Sequence, residues 1–259
     1  MQNHLTIDIN CDLGEDVLMD GQPVEPLIMP LISSVNIACG AHAGSDATMC
    51  MCIELARKHG VSAGAHPSYP DRENFGRNPM NFPMDSLKAL IIRQIENLYQ
   101  LAQEYGARLY HVKPHGALYN TAAIDIATAR AIAQAVAEFD NSLVIFGLPG
   151  SVMQQAAREY KLPFAAEAFP DRAYNPDGTL VNRKLPGAVI HHPDEFIQRS
   201  LMMVQHKKVV AITGESISLR ADTLCVHGDN PAAVQLLTRL REEFDKAGIR
   251  VKKHCTSNA

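Results

Sequence analysis

The chain has 259 residues, 24 Lys+Arg against 28 Asp+Glu for a formal net charge of −4, 46% hydrophobic residues and 20% charged ones. That balance excludes a disordered chain, because the apolar content is enough to offset chain entropy, and the lack of a long basic run excludes nucleic acid as the main partner. The length admits two small domains or one large α/β barrel.

Short apolar segments alternate with longer helical patterns. Strands are predicted at 6–11, 35–39, 61–65, 109–112, 143–147, 164–168, 209–213 and 224–226. Helices are predicted at 47–59, 84–105, 124–139, 151–160, 195–205 and 232–247, ahead of a terminal segment at 249–251. In the second helix, apolar residues at 87, 90, 91, 95, 98 and 101 follow helical period. Pro83 stands just ahead of it, and Gly60 and Gly106 follow helical stretches as stop residues. Asp229-Asn-Pro231 signals the start of the last helix. Strands that read as continuous apolar runs between helices belong to a buried parallel sheet. No linker rich in Ser, Gly or Pro divides the chain, so residues 1–259 read as one domain.

The longest uncharged stretch, residues 26–45, contains Pro26, Pro30 and Asn36 and makes no membrane span. A secretory pattern is lacking at the N-terminus, and the six cysteines fit neither a zinc ribbon nor a disulfide frame. A cytoplasmic protein with reduced thiols, and with no membrane partner, is the expectation.

Polar residues stand at the carboxyl end of strand after strand. The first runs into Asn10-Cys-Asp12-Leu-Gly-Glu15, the second through Asn36 to Cys39-Gly-Ala-His42, and the third into His66-Pro-Ser-Tyr-Pro-Asp-Arg72. Later ends read His111-Val-Lys113-Pro-His115, Glu167-Ala-Phe-Pro-Asp-Arg172 and His227-Gly-Asp229. An open sheet gathers its site at one switch point, whereas a barrel recruits many strand ends. The spread predicts an α/β barrel with one polar cavity. Singly, each residue has a plainer role: a histidine can be a structural hydrogen-bonding group, Asp12 a cap, Arg172 a clamp for Asp171 or Glu167. Together they mark a site for a small-molecule substrate.

These segments resemble the LamB/YcsF family over roughly residues 5–253, with weaker matches at Asp177-Gly-Thr-Leu-Val, Pro186-Gly-Ala-Val-Ile and Thr213-Gly-Glu215. Two positions depart from the family pattern: Ser45 precedes Asp46 where Asp usually follows Gly44 directly, and Pro170 replaces Ala. The resemblance implies a distorted, seven-stranded β/α barrel similar to the sugar deacetylase superfamily. It also implies ATP-dependent hydrolysis of 5-oxo-L-proline to L-glutamate, ADP and phosphate, in complex with the 5-oxoprolinase B and C subunits. No Gly-Lys pair occurs, so the chain lacks a standard phosphate-cradling loop. ATP, with a divalent cation such as Mg, then falls either to the companion subunits or to a phosphorylated intermediate held by Lys113 and Arg172. Ring opening needs an activated water, charge stabilisation and a proton for the leaving nitrogen. Asp12 or Glu15 is the candidate base, and Lys113 and Arg172 the candidate anion holders. His42, His66, His115 and His227 are candidates for proton transfer or orientation, Glu167 for acid–base or positioning work, and Asn10, Asn36 and Asp229 for substrate contact. Two alternatives stay open: a divalent-metal hydrolase using Asp12, His42 and His115, and a non-catalytic substrate-binding subunit.

Overall fold

The computed structural model describes residues 5–228, 230 and 232–255. Seven strands line up in parallel: β1 Thr6–Leu13, β2 Ser34–Ala38, β3 Ser62–His66, β4 Leu109–Val112, β5 Val144–Gly147, β6 Phe164–Ala168 and β7 Thr223–His227. Each pairs with the next in chain order. Strand β7 returns to β1, with Asp8 beside Thr223 and Asp12 beside His227, and this pairing closes the barrel. A short further strand, Arg250–Val251, pairs with Thr6 and Ile7 at the amino end of β1.

Apart from their ends, where Thr6 is exposed and Ser62, Leu109, Tyr110, Phe164 and His227 are half-buried, the strands are buried, and their two faces differ in chemistry. Along β1, Ile7, Ile9, Cys11 and Leu13 join the large apolar core. Asp8, Asn10 and Asp12, also buried, point to the other face. In β2, Val35 and Ile37 face that core, whereas Ser34 and Asn36 carry the alternate positions. Two small apolar clusters lie apart from the main core: Val144, Phe146 and Ala165, with His111 stacked on Phe146 at 4.1 Å, and Ala173, Val181 and Ala188 in the loop after β6. The continuous burial read from sequence is therefore correct, yet it conceals a polar interior.

Helices α1 Asp46–His59, α2 Met84–Glu104, α3 Gly116–Ile124, α4 Ile126–Phe139, α5 Val152–Glu159, α6 Pro193–Leu201 and α7 Ala233–Lys246 accompany the barrel. Ser45 and Thr48 form a reciprocal capping box at the start of α1, and Gly60 ends it at φ 68°. The displaced Asp46 thus sits in an exposed first helical turn. Helix α2 buries Leu87, Ile91, Ile95, Leu98 and Ala102, one stripe at helical spacing.

Three predicted elements change. Residues 209–213 supply no barrel strand: Lys208–Val210 pairs antiparallel with Ser216–Ser218 outside the barrel, and Val210 and Ile212 are exposed. The helix predicted from 124 is interrupted at Asp125, whose carboxylate accepts the Thr128 N–H at 2.7 Å and starts α4. Helix α3, which precedes it, was hidden because its composition gives little one-sided apolar patterning. The helix predicted at 195–205 starts at Pro193, and a wider π turn, Met202–His206, follows Leu201. The start signal at Asp229 and Pro231 lies outside the described residues. Among the described residues, no helix is long and apolar enough to cross a membrane.

Candidate active site

All seven strands point their carboxyl ends to one mouth, and the polar inner face makes a connected network there. Asn36 Nδ2 donates to Asn10 Oδ1 and to Asp12 Oδ1, both at 2.7 Å, and its own Oδ1 accepts from His111 Nε2 at 2.7 Å. Asn10 Nδ2 donates to Thr223 Oγ1 at 2.7 Å, tying β1 to β7.

The Lys113 ammonium sits at the centre. Its Nζ lies 2.8 Å from Asp12 Oδ1, 2.9 Å from Glu167 Oε1, 3.0 Å from Cys225 Sγ and 3.3 Å from Asn10 Oδ1. Burial alone would lower Lys113, but Asp12, Cys225 and Glu167 outweigh it and hold the ammonium well above its ordinary range. Burial would likewise raise Asp12, but His66 and Lys113 pull it well below the usual carboxylate range. This corner therefore contains a fixed cation and a fixed anion in contact. Burial pushes the Cys225 thiol well up, against the opposing pull of Lys113.

Beside it lies a histidine cluster. His66 Nε2 is 3.3 Å from Asp12 Oδ2 and 2.9 Å from His115 Nδ1. His42 stacks on His115 with ring centroids 3.7 Å apart, and its Nε2 lies 3.0 Å from Glu15 Oε1. Burial, with His66 next, lowers His42 to about 3. His115 is lowered well below its ordinary value by burial, then by His42 and His66. Phe75 covers the stack edge-on, 5.4 Å from His42 and 5.3 Å from His115. This cover depends on Gly116, at φ 54°, where a Cβ would lie 2.6 Å from Gly76 O. The close approach lets Ala117 N–H donate to Gly76 O at 2.9 Å.

The sequence-predicted residues thus divide. Asn10, Asp12, Glu15, Asn36, His42, His66, Lys113, His115 and Glu167 come together at the mouth. His227 joins the mouth beside Asp12 and Cys225, with ligand atoms within 4.8 Å of one another, and is tied to the neighbouring loop by Asp171 Oδ2, 2.6 Å from its Nδ1, and by Arg183, 3.3 Å from its Nε2. Arg172 is committed to the loop after β6, its guanidinium donating to Val181 O at 2.7 Å and to Ala188 O at 3.4 Å. Glu167 lies against Lys113, and the neighbouring Arg172 carbonyl accepts from Arg199 at 2.6 Å. Pro170 also presents its carbonyl to Arg199. Asp229 lies outside the described residues. Sequence reasoning did not select Cys225, His111, Ser68, Phe75 or Arg183 as site residues. The strand-end rule could have found the first two, whereas nothing local marks Phe75.

A depression of about 520 Å³ at the opposite end of the barrel is lined by Asp8, Arg220, Lys252 and His254 among others. It lacks the mouth's tight set of facing carboxylates, imidazoles and ammonium. In parallel barrels the carboxyl-end loops carry the chemistry.

The family model for the LamB/YcsF family matches residues 7–259. The 5-oxoprolinase A subunit of Symbiobacterium thermophilum is 46% identical over 245 residues, covering 95% of this chain and 94% of that protein. A Campylobacter jejuni protein of the same name is 43% identical, covering 95% and 96%. The lactam utilization protein of Thermus thermophilus superposes with a TM-score of 0.89 at 42% identity, over 96% of this chain and 99% of that one. A protein of known structure from Enterococcus faecalis shares the fold at a TM-score of 0.56 and 12% identity, over 97% of this chain and 98% of that one.

Proposed function

The chain belongs to the LamB/YcsF family, and from that premise we propose that it serves as the A subunit of an ATP-dependent 5-oxoprolinase, opening 5-oxo-L-proline at the barrel mouth. The observation that carries the reading is the buried Asp12–Lys113–Glu167 contact at that mouth, in a chain related over 95% of its length to proteins of that name. A lactam carbonyl is a poor electrophile. ATP, handled with Mg by the companion B and C subunits, activates it by phosphorylating its oxygen. Water then adds to the ring carbon, the ring nitrogen leaves with a proton, and a second water releases phosphate from the resulting acyl phosphate to give glutamate.

Asp12 is the base for the attacking water. Its Oδ1 is occupied by Asn36 and Lys113, which aims Oδ2 at the histidine side of the cavity. Its neighbours keep Asp12 ionised and able to take the proton but also make it a weak base, so its contribution lies in a fixed orientation that lowers the entropy cost of the attack. Lys113 already donates to Asn10, Asp12 and Cys225 and forms an ion pair with Glu167, so a substrate oxygen reaching it replaces one of these contacts. Its first task is to hold Asp12 and Glu167 in place. The reading places the chain in the cytoplasm, where reduced thiols are stable.

The test is ATP-coupled glutamate release from 5-oxoproline by the complex, with and without this chain, and with Asp12→Asn. Release should require the chain, and Asp12→Asn should lower turnover by about 10²–10⁴-fold. Full turnover by the variant would remove Asp12 from the role; release without the chain would remove the chain.

A further inference from the structure

We propose that Glu15, His42, His66 and His115 bind one divalent transition-metal ion of the zinc class, through Glu15 Oε1, His42 Nε2, His66 Nε2 and His115 Nδ1. The argument starts from where the imidazole protons must be. His66 Nδ1 faces the Lys113 carbonyl at 2.6 Å, and His115 Nε2 faces the Phe75 carbonyl at 2.9 Å. A carbonyl only accepts, so both nitrogens carry hydrogen. His42 Nδ1 lies 2.9 Å from Ser68 Oγ, whose own hydroxyl donates to Tyr69 O at 2.9 Å. Ser68 therefore accepts from His42, and that nitrogen carries hydrogen too.

Metal binding takes the place of the proton that would otherwise face Asp12 Oδ2 from His66 Nε2 at 3.3 Å, so with all three rings neutral the three remaining nitrogens present lone pairs, and all three converge. His66 Nε2 and His115 Nδ1 are 2.9 Å apart, His42 Nε2 is 3.0 Å from Glu15 Oε1, and His115 Nδ1 is 3.5 Å from the same oxygen. All four ligand atoms lie within 4.8 Å of one another, in buried residues. Lone pairs at such separations repel unless positive charge stands between them. One proton bridges one pair at a time. Two protons, one between His66 and His115 and one between His42 and Glu15, would place imidazolium charge on both sides of the buried stack at 3.7 Å, with the Glu15 carboxylate offsetting only one of them. A single divalent ion satisfies every donor at once.

The dimensions and chemistry agree. Bonds of about 2.1 Å in a tetrahedral site put neighbouring donors about 3.4 Å apart, so the shortest spacings need to open by only a few tenths of an ångström. Three imidazoles and one carboxylate suit zinc, cobalt or manganese rather than calcium or magnesium, which prefer oxygen. Each histidine also donates its other N–H to a fixed acceptor, the arrangement that orients metal-bound imidazoles. The second group of potential ligands, Asp12, Cys225 and His227, does not compete, because the Lys113 ammonium already contacts Asp12 and Cys225 and His227 Nδ1 is taken by Asp171.

This inference needs only the four donors and does not rest on the lactam reading. The full-length chain, stripped with a chelator and exchanged into metal-free buffer, is titrated with Zn²⁺ or Co²⁺ alone. Metal per chain, visible cobalt absorption and thermal midpoint are the readouts. One ion per chain, cobalt bands of a nitrogen–oxygen site and a raised midpoint are expected. His42→Ala should weaken binding by at least about 100-fold, and Ser68→Ala, which removes only the acceptor behind His42, by about tenfold. A wild-type chain that retains no metal and shows no cobalt bands overturns the proposal, as does undiminished binding by both variants. Metal binding in a complex inactive on 5-oxoproline would sink the functional reading alone; a metal-free chain in an active complex would sink this one alone.

Discussion

At the scale of single residues, His111 shows how a buried group is held neutral. Its Nε2–H is used by Asn36, whereas its buried Nδ1 has no hydrogen-bond partner among the described residues. Burial, with Lys113 next, lowers it from 6.5 to about 3. Between those values the unfolded chain binds a proton that the folded chain refuses, so stability falls as pH drops from 6.5 toward 3. The slope contributed approaches about 1.4 kcal/mol per pH unit. Asp8 and Glu25, raised by burial, act with the opposite sign, so the comparison must be differential. Urea unfolding of the metal-free chain between pH 6.5 and about 5 should show a steeper loss for wild type than for His111→Gln; equal slopes would refute the assignment. Lys113 poses a different problem. Its removal leaves two buried carboxylates without their cation, a loss of about 3–5 kcal/mol, which is why Asp12→Asn is the cleaner probe of chemistry.

At the scale of elements, β3 and β4 are matched by size. Gly64 lies on β3 beside His111 on β4, and a Cβ there would stand 2.2 Å from His111 Nε2. The glycine is required for space, to admit the imidazole that anchors Asn36. Gly64→Ala should destabilise the fold by about 1–3 kcal/mol, read from the urea midpoint at unchanged slope; a neutral result would show that the ring moves aside freely. Helix periodicity made α1 and α2 legible because each buries one stripe. Helix α3 was not legible: it buries Ala117, Leu118, Tyr119, Ala122 and Ala123, too much of its circumference for one stripe. Residues 209–213 erred in the opposite direction, since a β-branched run indicates a strand without saying which sheet receives it.

At the scale of the whole molecule, the two ends of the barrel divide their tasks. Asp8 lies at the amino half of β1, accepting from Ser33 Oγ at 2.7 Å, Ser34 Oγ at 2.8 Å and Thr223 Oγ1, and so ties β1 to β7 and to the approach of β2. Asp8→Ala leaves those hydroxyls short of an acceptor and should cost about 1–3 kcal/mol of stability, while the folded variant keeps Zn²⁺ affinity at the far end. Loss of metal affinity at full stability would contradict this division. The sequence by itself determined the alternation of strands and helices, the barrel class and the polar strand ends, because period and strand-end chemistry are local properties of the chain. It also brought Asp12, His42 and Lys113 under suspicion before any contact was known. Only the tertiary structure decided that Glu167 faces Lys113, that Arg172 serves a loop, and that three imidazoles converge beside Glu15. Those outcomes depend on barrel closure and on carbonyls from Lys113 and Phe75, groups present in every residue and therefore without a signature in any sequence.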